Sequence, residues 1–353
     1  MSSHVGFLGN LIATMPEGAS CELHSLSRKI PELLANSVAG STGDKYMSTF
    51  KRFEKFCNEN FVPSLPSDPV VIMSYFVKIS DETNSASSVL LARSAIRHFN
   101  LVHSPNVPSP TDNMNVAMLV KGIERKFSAE CKKRKPTTPQ IVRSFIDLLN
   151  GDQCKWFGFS KSLEDWQVVA KTVVKFHCFA RFEEVIELKR SSFRFLSNGD
   201  VEVKFCKGKN NQFHDAKVSV IAKYSDEGGV YCPVNIVRKY FLVLGRPHQE
   251  AFFLPKICKN LPLFDVKASY SSCIKRFKLF LMMIGENPEG YGEHSDRTGG
   301  LSSAAASGCS VSDLQTQGRW KSDYAPKLYL KKSKEKRSKV SKALNELVSI
   351  DLS

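Results

Sequence analysis

Residues 293–329 read EHSDRTGGLSSAAASGCSVSDLQTQGRWKSDYAPKLY, and the rest of the chain is organised around them. His294 and Arg297 stand three residues apart, so on a helix beginning here they share one face, a turn from each other. Small residues follow at 302–307, which lets such a helix pack close to its neighbours, and Gly308 suits its end. Val311, Leu314 and Gln315 give a second short helix closed by Gly318, and a third element carries Tyr329.

The order His294, Arg297, Trp320, Tyr329, with Tyr329 nine residues beyond Trp320, resembles the C-terminal signature of the tyrosine recombinases, the phage-integrase family. The resemblance implies strand cleavage without water: the Tyr329 phenol attacks a DNA phosphodiester and holds it as a 3′-phosphotyrosine until the strand is rejoined. Charge gathers on the non-bridging oxygens in such a transfer, which arginine forks, a histidine and an indole N–H can stabilise. No metal and no cofactor is required. Trp320 stands where His is commoner, and Gly-Arg-Trp makes Arg319 a further DNA contact. Tyr324, four residues after Trp320, sits too early for the nucleophile.

Upstream, residues 163–179 form a strongly apolar helix leading into FARFEEVIEL at 179–188. This resembles the family's first box and implies Arg181 as the other catalytic arginine, with Glu184 holding the geometry without touching the phosphate. Residues 201–205 and 216–221 alternate around a polar, basic tip, the pattern of a β-hairpin. The family carries on such a hairpin a lysine that protonates the departing 5′ oxygen. Here that is Lys207, before Gly208, or Lys209.

The first 130 residues contain helical patterns and no convincing strand. Ile30, Leu33 and Leu34 begin one. Tyr46, Phe50, Phe53 and Cys57 form another after a Gly40-Ser41-Thr42-Gly43 break. Ser67-Asp68-Pro69 starts a third, and 85–102 and 114–127 give two more. We expect a mobile tail at 1–27 and a helical, DNA-clamping core-binding domain at 28–130. A basic linker follows at 131–139, CKKRKPTTP, and a catalytic domain at 140–353. The linker, with Lys132, Lys133, Arg134 and Lys135, reads as a flexible cationic strap on DNA or as a nuclear localisation signal. Lys45, Lys51, Arg52, Lys55, Arg93, Arg97, Lys121, Arg125 and Lys126 are further phosphate-contact candidates. The fold class is mainly α, an all-α N-terminal domain followed by an α+β domain with a small antiparallel sheet.

The 353 residues carry a formal charge of +15, which suits a polyanionic partner. Ten scattered cysteines show no zinc-ligand or dithiol spacing, and no apolar run is long enough to span a bilayer. Tyr231-Cys232-Pro233-Val234 resembles recombinases of eukaryotic mobile elements, the Crypton and DIRS-like groups. A basic tail at 331–339 precedes Val340, Leu344, Leu347 and Val348 at helical spacing. The expected partner is double-stranded DNA, bound by a monomer or dimer that assembles as a homotetramer, without membrane association. The expected location is the nucleus in a eukaryote and otherwise the cytoplasm. Alternative readings are a catalytically silent DNA-binding regulatory module and a type IB topoisomerase-like enzyme.

Overall fold

The structure, a computed structural model, describes residues 3–11, 18–38, 40–127, 134–151, 162–206, 217–224, 229–245, 247–324 and 326–327. It divides into two compact units, Met1–Cys131 and Lys132–Ser353. No described helix is long and apolar enough to cross a membrane.

Unit one is helical: α1 (Ser3–Leu11), α2 (Cys21–Ser27), α3 (Ile30–Ala35), α4 (Gly40–Glu59), α5 (Pro69–Thr83), α6 (Ala86–His103) and α7 (Met114–Lys126). The start of α5 follows from its residues. Asp68 Oδ1 accepts from the backbone N–H groups of Val70 (2.7 Å) and Val71 (3.3 Å), and Pro69 needs no partner for the N–H it lacks. Asn84, at φ 48°, closes the helix. Phe50 and Phe53 of α4 meet Phe76 of α5, Ile96 and Phe99 of α6, and Val116 of α7 in one core.

Two expectations for this unit are corrected. Part of the tail is ordered: α1 buries Leu8 completely in that core, and its short length and two glycines hide the apolar face in the sequence. The Gly40–Gly43 stretch is the first turn of α4 rather than a break. Of the phosphate-contact candidates, Arg97 is forked onto Asp112 and Arg93 donates to the Thr111 carbonyl. Lys45, Lys51, Arg52, Lys55, Lys121, Arg125 and Lys126 are exposed.

Unit two is α+β. Helices α8 (Pro139–Asn150), α9 (Leu163–His177) and the single-turn α10 (Phe182–Val185) precede β1 (Phe193–Phe195), β2 (Val201–Phe205) and β3 (Lys217–Ile221), which form one antiparallel sheet in that order. Val201, Val203 and Phe205 of β2 face inward with Ser219 and Ile221 of β3, as period-two alternation demands. Helix α11 (Pro233–Val243) is followed by a second hairpin, β4 (Pro255–Cys258) and β5 (Leu261–Lys267), then α12 (Tyr270–Met283), α13 (Ser295–Ala306) and α14 (Val311–Gln317). That second hairpin went unread because its turn carries no glycine. Lys259 and Asn260 both adopt positive φ, 49° and 60°, the geometry of a tight two-residue hairpin turn.

Helix α9 is the spine of this unit. Its Ala170 and Val174 join the core beneath the sheet, and its Val169 and Val173 join a second core with Phe145 of α8 and Phe277 and Phe280 of α12. Helix α13 crosses it closely. A Cβ on Gly300 would lie 1.9 Å from the Phe176 carbonyl oxygen, and one on Gly299 would lie 1.8 Å from that of Thr137. The glycine pair therefore makes the close approach expected of residues 302–307, of which Ala306 and Ser307 are exposed.

Candidate active site

Arg181 begins α10, and Glu184 sits one turn on. The Glu184 carboxylate accepts from the Arg181 backbone N–H at 2.7 Å and lies 3.3 Å from the Arg181 guanidinium. Across the site, Arg319 Nη2 reaches the same carboxylate at 3.2 Å and Arg297 Nη1 approaches it to 3.7 Å. One carboxylate thus holds three guanidinium groups within a single small volume, which like charges would not otherwise share.

Two residues in left-handed backbone conformation shape this volume: Phe179 at φ 48° and Arg319 at φ 58°. Neither is glycine, so each carries local strain of the kind that gathers at functional sites. The Phe179 carbonyl, turned by that conformation, accepts from Arg297 Nη1 at 2.6 Å. The Phe179 ring stacks on Trp320 with planes 16° apart, and the Arg297 guanidinium lies 4.9 Å from the indole centroid. Gly318 makes room for this indole: a Cβ there would lie 2.0 Å from Trp320 Cζ3.

Arg319 does not reach outward as a DNA contact. Its side chain is 4% exposed, and it donates to the Cys178 carbonyl at 2.8 Å and to Ser219 Oγ of β3 besides Glu184. The left-handed backbone at Arg319 turns the side chain inward, which spacing along the chain does not reveal. The Gly-Arg-Trp turn is tied to β3 at further points. Lys217 Nζ donates to the Arg319 carbonyl, and the Gln317 amide donates to the Val220 carbonyl at 2.8 Å.

His294 precedes α13 directly, with Arg297 one turn into the helix. The His294 side chain is exposed while Arg297 is buried. Arg181, Glu184, Arg297 and Trp320 therefore meet, and His294 stands at the rim, one turn from Arg297. Tyr324 is 69% exposed. Lys207, Lys209 and Tyr329 lie outside the described residues, as do Lys132 and Lys133.

Arg134 and Lys135 are exposed, yet their stretch is no loose strap. Lys135 N–H donates to the Gly290 carbonyl at 2.7 Å and Thr137 N–H to that of Ser295 at 3.0 Å, while the Arg134 guanidinium reaches the Glu289 carbonyl at 3.3 Å. The backbone of 135–137 pairs with Gly290 and Ser295, on either side of His294 in the sequence.

Beneath that loop lies a charge cluster that sequence reasoning passed over. Lys171 and Lys175, a turn apart on α9, are 1% and 0% exposed, and Lys171 Nζ binds Glu293 Oε1 at 2.6 Å. The visible signal was two lysines inside the apolar run VVAKTVVKF. Burial alone would raise the Glu293 carboxyl, but Lys171 and Lys175 outweigh it and hold it at about 2 against an ordinary 4.5. Its stabilising contribution is therefore complete above pH 4.5 and lost as pH falls towards 2. Burial pushes Asp296 the other way, so it takes its proton earlier and offsets part of that loss. Thermal melts across this acid range should show stability falling with pH, with a shallower slope in Glu293→Gln. An unchanged slope in that variant would contradict this role.

No protein-family model and no curated protein matches the sequence. Solved structures do match in shape. A lambda integrase dimer bound to a COC′ core site is 17% identical, with a TM-score of 0.57, over 87% of this chain and 77% of that one. XerH site-specific recombinase bound to palindromic difH substrate is 10% identical, with a TM-score of 0.56, over 96% and 93%. The Tn1549 transposon integrase in complex with transposon right end DNA is 11% identical, with a TM-score of 0.53, over 96% and 98%. The chain has the tyrosine-recombinase fold. A mainly helical chain carrying a small antiparallel sheet is thus the architecture that the sequence led us to expect.

Proposed function

We propose that this protein is a site-specific DNA recombinase, a metal-independent strand transferase that works through a 3′-phosphotyrosine at Tyr329. The observation that carries the reading is the set of Arg181 and Arg297 gathered about Glu184 with Trp320 against Arg297, within a fold shared with DNA-bound integrases and recombinases. In this reading the scissile phosphate sits against Arg181 and Arg297, whose forks neutralise its non-bridging oxygens, and the Trp320 indole N–H donates to it. The Tyr329 oxygen forms the new bond to phosphorus and passes its proton to His294. The 5′ oxygen leaves with a proton from Lys207 or Lys209. Rejoining reverses each transfer, so the phosphodiester energy is conserved.

The partner is double-stranded DNA, held by the helical unit and by basic residues that include Lys132, Lys133, Arg134 and Lys135. A homotetramer assembles on two sites from monomers or dimers. A Crypton or DIRS-like mobile element in a eukaryotic nucleus is the source we favour. The test is a plasmid carrying two copies of the element's joined ends, incubated with protein in EDTA. Exchange products with intact flanks are expected. Relaxation of supercoils without exchange, equally on plasmids lacking the ends, would favour the type IB topoisomerase reading. Salt-sensitive binding with neither outcome would favour the DNA-binding module.

A further inference from the structure

We propose that Lys175 is a positioning residue for His294, holding the Glu293 carbonyl on one side of it and the Asp296 carboxylate on the other. The inference rests on the strand-transfer reading above. Lys175 Nζ lies 2.5 Å from the Glu293 carbonyl oxygen, 2.5 Å from Glu293 Oε2 and 3.2 Å from Asp296 Oδ2. Glu293 and Asp296 bracket the pair His294-Ser295. Lys171 binds the other Glu293 oxygen, and Thr137 Oγ1 donates to Asp296 Oδ1 at 2.8 Å. Ser295 closes the turn through its N–H to the Gly292 carbonyl at 2.9 Å and accepts from the Gly292 N–H at 3.0 Å.

Every side chain of this clamp is buried, whereas the His294 side chain is exposed. The imidazole is therefore placed through its backbone. Stability is a poor reason for such a cluster. Buried ion pairs recover little beyond their desolvation cost, and apolar residues of similar volume commonly fold as well. What a charged cluster supplies that a Leu-Val contact does not is directionality: an ammonium donating to two Glu293 oxygens and paired with the Asp296 carboxylate fixes where the 293–296 segment lies. The segment ahead of α13 then presents the His294 imidazole at a set place, which phosphoryl transfer requires because it proceeds mainly by positioning.

The test uses full-length protein and a pool of nicked duplexes from the flanks of the encoding element, in EDTA. Lys175→Met should lower the rate of covalent adduct formation about a hundredfold while leaving duplex affinity within about twofold. Adding Lys175→Met to His294→Ala should cost nothing more than His294→Ala alone. Losses that multiply in the double variant would overturn the proposal, since Lys175 would then act independently of His294.

Where Lys175→Met fails to fold by circular dichroism, Lys175→Met/Asp296→Asn removes one buried charge of each sign and replaces it. A second readout is independent of catalysis. With isotope-labelled imidazoles, the His294 resonance, assigned by its absence in His294→Ala, should move in the Lys175 variant while that of His248 stays. A His294 resonance that does not move would overturn the proposal whether or not wild type forms adducts. Absence of adducts with wild type would count against the strand-transfer reading alone.

Discussion

Replacing Arg297 with alanine should slow covalent strand cleavage roughly a thousandfold or more, the scale at which a preorganised donor to a developing oxyanion acts. The side chain is buried against Phe179 and Trp320, so its guanidinium is placed before substrate arrives and need not reorganise during the transfer. Arg297→Lys keeps the charge and loses the fork, and should recover only a small part of the rate. Duplex affinity should fall much less than rate, because a chain of net charge +15 would distribute its phosphate contacts widely. Single-turnover adduct formation beside a salt-titrated binding curve separates the two quantities. A rate within about threefold of wild type would remove Arg297 from the reaction.

The second large effect is on folding. Gly300→Ala places a methyl 1.9 Å from a backbone carbonyl oxygen of α9; α9 is held by the buried contacts of Val169, Val173 and Val174, and α13 by Leu301 packed with Phe179 and Leu314. No flexible side chain is available to give way, so the loss should exceed about 4 kcal/mol, a large part of what a domain has to spare. The protein should be insoluble, or its second unit unfolded by circular dichroism at 25 °C. Ser303→Ala, on the half-buried side of the same helix, should change stability by less than about 0.5 kcal/mol. A Gly300→Ala protein that melts with wild type would show that α13 does not lie where it is described.

How much of this was legible follows from the range of each interaction. Helices announced themselves where apolar period and end signals coincided, as at Asp68-Pro69 and along Tyr46, Phe50, Phe53 and Cys57, because those signals are local. The β2–β3 hairpin was legible through its alternation. The β4–β5 hairpin was not, because Lys259 and Asn260 adopt positive φ without a glycine to mark the turn.

At the site, residue types and spacing pointed to Arg181, Glu184, Arg297 and Trp320, and the fold brings these four together. Arg319 was misread because its direction depends on a backbone conformation stabilised by distant partners, Cys178 and Ser219. Lys171 and Lys175 were passed over for a related reason. A lysine on an apolar helix ordinarily snorkels to solvent, and only the tertiary placement of Glu293 and Asp296 makes burial affordable.

In the proposed reaction this chain breaks DNA by direct transfer to Tyr329. A nicked duplex from the element's flanks, on which cleavage releases a short strand and so traps the intermediate, tests it most directly with wild type and Tyr329→Phe in EDTA. A covalent protein–DNA adduct is expected on a denaturing gel with wild type and none with Tyr329→Phe. An adduct that persists in Tyr329→Phe, or wild-type protein that binds the duplex and never becomes linked to it, would rule out direct transfer to Tyr329.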